Sequence, residues 1–164
     1  MDLRTSSFHF LKLVLASEIL MCTFAGGVMA APPEPSAKEP ADLVADKFVH
    51  DKLALWQDRL HLQDWTISAT VSHPGDLRRG TLGNVHWDAE KKTAKIRVLS
   101  PSDYHRTYAA ALEDIEFTIV HELIHLELMP VTHNEENRSA ESRSAEEDAV
   151  NRIAASLLQL DRKK

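Results

Sequence analysis

The residues of this chain best suited to chemistry are His121-Glu122-Leu123-Ile124-His125. On a helix, a spacing of four puts both imidazoles on one face about one turn apart, where they can share a cation. Imidazole nitrogens suit zinc, and Glu122, beside the first histidine, can reach a water on the metal as a general base. A catalytic zinc takes three protein ligands and keeps one position for water, so a third donor must come from elsewhere. Leu128 and Val131 stand where a longer motif would carry a glycine and a third histidine. His133 is the only later histidine; the better candidates are Glu146 and Glu147. Glu147 is preferred, because Asn151 follows it by four residues and could support a ligand by hydrogen bonding. Ser144-Ala145-Glu146-Glu147 also reads as a capping box, in which Glu147 would bond to the backbone and Glu146 would become the ligand.

These side chains need helices to hold them. Apolar periodicity predicts a helix over Leu112 to Met129, ended by Pro130. Projected at about 100° per residue from His121, its polar residues fall into two stripes. Glu113, Glu116 and Glu127 form an ordinary solvated face. Asp114, Thr118, His121, Glu122 and His125 lie between roughly 0° and 100° and are flanked by apolar residues on both sides. Leaving such groups buried and unsatisfied costs about 1 to 3 kcal/mol each, so this stripe should line a cleft or a metal. A last helix, from Ser144 onward, has its apolar face on Val150, Ile153, Ala154, Leu157 and Leu158, with Glu146 and Glu147 at the edges of that face.

Upstream, Val49, Leu53, Trp56 and Leu60 mark an amphipathic helix over Asp42 to His61, with Asp42 as its cap. Trp65 to Val71, Leu82 to Trp87 and Ala94 to Val98 read as three strands, and the short turns between them suggest an antiparallel meander. Trp56, Trp65 and Trp87 belong in the core. The order helix, three strands, helix, helix predicts an α+β domain.

His121 to Leu126 followed by Glu146-Glu147-Asp148-Ala149-Val150-Asn151-Arg152-Ile153-Ala154 resembles a minimal gluzincin-type zinc metallopeptidase, and is similar to the ImmA/IrrE-type metallopeptidases of bacteria and their phages. The resemblance spans about residues 42–160, with its specific motifs in 114–158. It implies a zincin-like domain in which the edge strand of a small sheet receives an extended peptide. It also implies zinc held by His121, His125 and Glu147, with Glu122 as general base in peptide-bond hydrolysis. Asn151 departs from the aspartate of thermolysin-like relatives, and no helix-turn-helix accompanies the domain. Tyr104, His105, Tyr108, His133 and Arg138 are available to stabilise the oxyanion. A second reading keeps the zinc as a staple in a non-catalytic module that binds a peptide or partner. Glu122 argues against it, because a structural zinc site is closed by four protein ligands and has no use for that glutamate.

Composition narrows the remainder. A chain of 164 residues with a formal charge of -6 has room for one core and no basic field for nucleic acid. Its single cysteine, Cys22, excludes an internal disulfide, so His, Asp and Glu must hold any metal. Residues 1–31 read as a secretory signal peptide, with Val28-Met29-Ala30 at the cleavage site; an internal start at Met21 or Met29 is the alternative. Glu18 and Lys12 leave an uncharged run, Ile19 to Ala31, too short to span a bilayer. The expected location is therefore secreted or periplasmic, or cytoplasmic without the signal. Four of the seven prolines fall in the linker 32–41, and the folded domain is expected over 42–160 with a peptide or protein as its substrate.

Overall fold

The computed structural model describes residues 41–132 and 139–163. The signal peptide, nearly all of the linker, His133 and Arg138 lie outside the described residues. The order of elements is α1 (Ala41–Arg59), β1 (Thr66–Ser72), β2 (Gly83–Asp88), β3 (Thr93–Leu99), a 3-10 turn (Pro101–Asp103), α2 (Tyr108–Thr132) and α3 (Ala140–Asp161). The fold is α+β, with three helices and one three-stranded sheet. No helix of the described residues is long and apolar enough to cross a membrane.

The sheet corrects the expected meander. Its order is β1-β3-β2, with β3 parallel to β1 and antiparallel to β2. β2 and β3 form a hairpin through Ala89–Lys92, and that hairpin sets β3 between its two neighbours. Residues 73–82 carry the chain from β1 past β3, about 10 Å at two strand spacings, to the far edge. Alternation of apolar residues reports which face a side chain takes and is silent on which strand lies beside it. β3 takes the centre, and its Ile96 and Val98 are fully buried.

Paired residues share a face, so the register divides the sheet cleanly. Ile67, Ala94 and Trp87 form one inward row, and Ala69, Ile96 and Val85 the next. α1 packs on β1, and α2 on β2 and β3, so this apolar side meets the helices. Trp56, Trp65 and Trp87 are all buried. The third inward row ends on Gly83, where sheet and helix come closest. A Cβ there would lie 2.4 Å from Thr118 Cγ2 and 2.7 Å from the Arg97 carbonyl oxygen. Gly83→Ala must push helix and strand apart. We expect it to lower stability by about 1–3 kcal/mol, read as a fall in the denaturation midpoint.

Asp42 does not cap α1. Its carboxylate accepts from the Ser100 hydroxyl and sits 3.8 Å from His73 Nε2. His73 Nδ1 meets Asp103 Oδ2 at 2.7 Å, tying the end of β1 to the 3-10 turn. The hydrogen bond to Asp103 raises the pKa of His73 above 6.5. The stabilisation is complete below the unfolded value and is lost as pH rises through the folded one. An NMR titration should place the His73 midpoint above 6.5, and Asp103→Asn should lower it.

Candidate metal centre

α2 carries the two histidines through the middle of the domain. Apolar residues on most sides of the helix bury it: Ile115, Ile119, Val120 and Leu123 are fully covered. Pro130 does not end it. The helix runs on to Thr132, since a proline in the last turn forfeits one backbone bond, and Thr132 Oγ1 donates to the Leu128 carbonyl across the same turn. α3 starts earlier than its periodicity suggested, at Ala140, with Ser139 as the cap accepting from the Ser142 amide. The capping-box alternative at Ser144 to Glu147 is thereby removed. Glu147 sits two turns into α3, with its carboxylate available to α2.

Of the five polar residues in the α2 stripe, His121, Glu122 and His125 meet α3. Asp114 pairs with Arg106 at 3.0 Å instead, and Thr118 Oγ1 donates back to the Asp114 carbonyl. The other stripe is not uniformly solvated either. Glu116 accepts from Trp56 Nε1 at 2.9 Å and from Lys52 at 2.8 Å, joining α2 to α1, while Glu113 and Glu127 are exposed.

Nε2 of His121 and Nε2 of His125 are 3.0 Å apart. Glu147 completes a triangle, with Oε1 3.4 Å from His125 Nε2 and Oε2 3.4 Å from His121 Nε2. His121, His125 and Glu147 thus form a group able to hold a metal ion, the only such cluster among the described residues. The outer nitrogens of both rings are held as well. His121 Nδ1 donates to Asn151 Oδ1 at 3.0 Å, and His125 Nδ1 lies 3.2 Å from Glu146 Oε1. Asn151 therefore orients His121 rather than Glu147. Glu146, the alternative third ligand, is on the far side of the His125 ring from the triangle. Such partners fix the ring orientation, so that a cation replacing the ring protons would meet both Nε2 lone pairs at the shared centre.

Electrostatics point the same way. Burial disfavours a charged His125, yet hydrogen bonds that its ring donates to Glu146 and Glu147 outweigh it and raise the ring to about 9. Burial also pushes the Glu147 carboxyl up, but the two imidazoles hold it at about 2. Two carboxylates against one buried ring make a place for positive charge. Glu122 is different in kind. It is 1% exposed, burial raises its pKa, and among the described residues neither carboxylate oxygen has a hydrogen-bond partner. An uncompensated carboxylate is costly to bury, and a cation with its water is the kind of partner that would offset it.

Of the oxyanion candidates among the described residues, Tyr104 has a buried hydroxyl with no hydrogen-bond partner, its pKa raised by burial and by Asp114. His105 is exposed, and Tyr108 opens α2. The roles of Asn151 and Glu146 on the outer ring nitrogens were not resolved by spacing alone. Their signal was positional: they stand four after and one before Glu147. Comparisons of the chain with protein families, with curated proteins and with solved structures find no match.

Proposed function

We propose that this protein is a zinc-dependent metallopeptidase of the minimal gluzincin kind, with His121, His125 and Glu147 as metal ligands and Glu122 as general base. The observation that carries this reading is the triangle of donor atoms at 3.0, 3.4 and 3.4 Å beside an unpartnered Glu122 carboxylate. Zinc bonds of about 2.0–2.1 Å in a tetrahedron put neighbouring donors about 3.3 Å apart, close to those spacings. Two imidazoles and one carboxylate are also a donor set that leaves zinc a position for solvent. When bound, zinc supplies Lewis acidity that lowers the pKa of water toward 7 and polarises a carbonyl.

The chain's own residues do the rest. Asn151 and Glu146 hold the imidazoles in register. Glu122 takes a proton from the attacking water as its oxygen adds to the carbonyl carbon, then delivers that proton to the leaving amine as the C–N bond breaks. Burial raises the proton affinity of Glu122 above that of an ordinary carboxylate, which favours its holding the proton between the two transfers. The Gly83–Thr118 contact sets the start of edge strand β2 beside the helical turn before Glu122. An extended substrate would pair along that edge. Residues 1–31 would direct the enzyme to a secreted or periplasmic location.

One observation favours a second reading, a zinc-stapled module that binds a peptide or partner without cutting it. His121, Glu122 and His125 are all at most 1% exposed, so a substrate must displace part of the chain to reach them. One experiment separates the two. The purified protein should hold one zinc per chain and cleave a denatured protein, with cleavage lost to a chelator and restored by zinc. Zinc retention without cleavage, and a melting temperature that drops on chelation, would support the staple. A protein that stays metal-free when zinc is supplied would exclude both.

A further inference from the structure

We propose that the face of the sheet turned away from the helices docks an extended acidic peptide segment, with carboxylates at alternate positions meeting Lys95 and Arg97. This site lies on the opposite side of the sheet from α2 and does not depend on the metal. The register that sends the apolar rows inward sends three polar rows outward, beside a fourth, Ser72 with Leu99, that is buried. Ser68, Lys95 and His86 form one row and Thr70, Arg97 and Asn84 the next, with Thr66, Thr93 and Asp88 at the far end. Among the described residues no helix packs on this side. Ser68, Lys95 and His86 are exposed, and Thr70, Arg97 and Asn84 half-buried.

The charge pattern is what singles this face out. The chain carries an excess of six negative charges, so its cations have no shortage of partners. Lys47, Lys52, Arg59, Lys91, Lys92 and Arg106 each pair with a carboxylate of the same chain. Among the described residues Lys95 and Arg97 have no ion-pair partner, although they stand side by side on the central strand. The one acid on the face, Asp88, is at its far end and is neutralised by Lys91 at 2.8 Å. Two cations without an ion-pair partner among the described residues thus sit on the central strand, between hydroxyls on one side and an imidazole and an amide on the other. The Asn84 amide oxygen is itself buried, with no hydrogen bond among the described residues.

Spacing selects the occupant. Lys95 and Arg97 are two residues apart on a strand, about 6.6 Å, and an extended peptide presents its own alternate side chains at that same repeat. The Arg97 fork can take a carboxylate through two N–H donors, and Lys95 adds a point charge. Nucleic acid fits less well. The face bears no Phe, Tyr or Trp on which bases could stack. Face-to-face packing of a second copy about a two-fold axis would bring like cations together.

The test is a titration of the full chain, at low salt, with a fluorescein-labelled decapeptide of alternating Glu and Ser, its integrity checked by mass spectrometry. Anisotropy should report saturable binding, and amide shifts should cluster on residues 68, 70, 84, 86, 95 and 97. Lys95→Glu/Arg97→Glu should weaken binding at least tenfold, and a Gln-Ser peptide should not bind. If the reversed-charge chain fails to fold, Lys95→Gln/Arg97→Gln takes its place with the same expectation. The proposal is overturned by unchanged affinity in a folded variant, by equal binding of the Gln-Ser peptide, or by amide shifts elsewhere. Tighter binding of a single-stranded oligonucleotide of equal charge, or no binding at millimolar peptide, overturns it as well.

Discussion

Glu122→Gln is expected to retain one zinc per chain and to lose hydrolysis of a denatured protein by about 10²–10⁴-fold, the range a positioned acid–base group contributes. The substitution conserves shape and removes the ability to take a proton. Glu122 is outside the triangle formed by His121, His125 and Glu147, so the ligand set stays intact. The variant should also fold at least as well as the parent in the absence of metal. The parent buries a carboxylate with neither oxygen hydrogen-bonded, and an amide there carries no charge to desolvate. Loss of activity therefore cannot be put down to unfolding. Turnover by the variant equal to that of the parent would remove the enzyme assignment and leave the zinc staple. The informative pair of measurements is metal content together with the cleavage rate on one preparation.

Glu147→Ala is expected to strip the protein of zinc, where Glu146→Ala weakens binding only about 10–100-fold. The geometry orders these outcomes. Each Glu147 oxygen lies 3.4 Å from one of the two Nε2 atoms, whereas Glu146 reaches the outer nitrogen of His125 at 3.2 Å. Removing Glu147 deletes a donor and leaves two imidazoles, fewer than a catalytic zinc site uses. Removing Glu146 spares the donors and loosens one ring. Asn151→Ala should behave like Glu146→Ala, since Asn151 does for His121 what Glu146 does for His125. Zinc measured per chain after dialysis, with circular dichroism to confirm folding, decides the order. Retention of zinc by Glu147→Ala with loss by Glu146→Ala would exchange their roles.

The amino-acid sequence by itself determined the pieces of this centre. A spacing of four on a strongly apolar helix leaves little choice about where His121 and His125 point, because helical periodicity is local and burial follows from it. The same locality placed the three strands within a residue or two and sent Trp56, Trp65 and Trp87 to the core. Strand order was decided only by the tertiary structure: a period of two assigns a face, while the neighbour depends on where a ten-residue connection can carry the chain. The choice between Glu146 and Glu147 was likewise out of local reach. Adjacent residues on a helix point about 100° apart, and only the packing of α3 on α2 turns one carboxylate to the inner nitrogens and the other to the outer. The ion pair of Glu116 with Lys52 of α1 needed the assembled fold for the same reason: the two are distant in the chain, and no pattern along it links them.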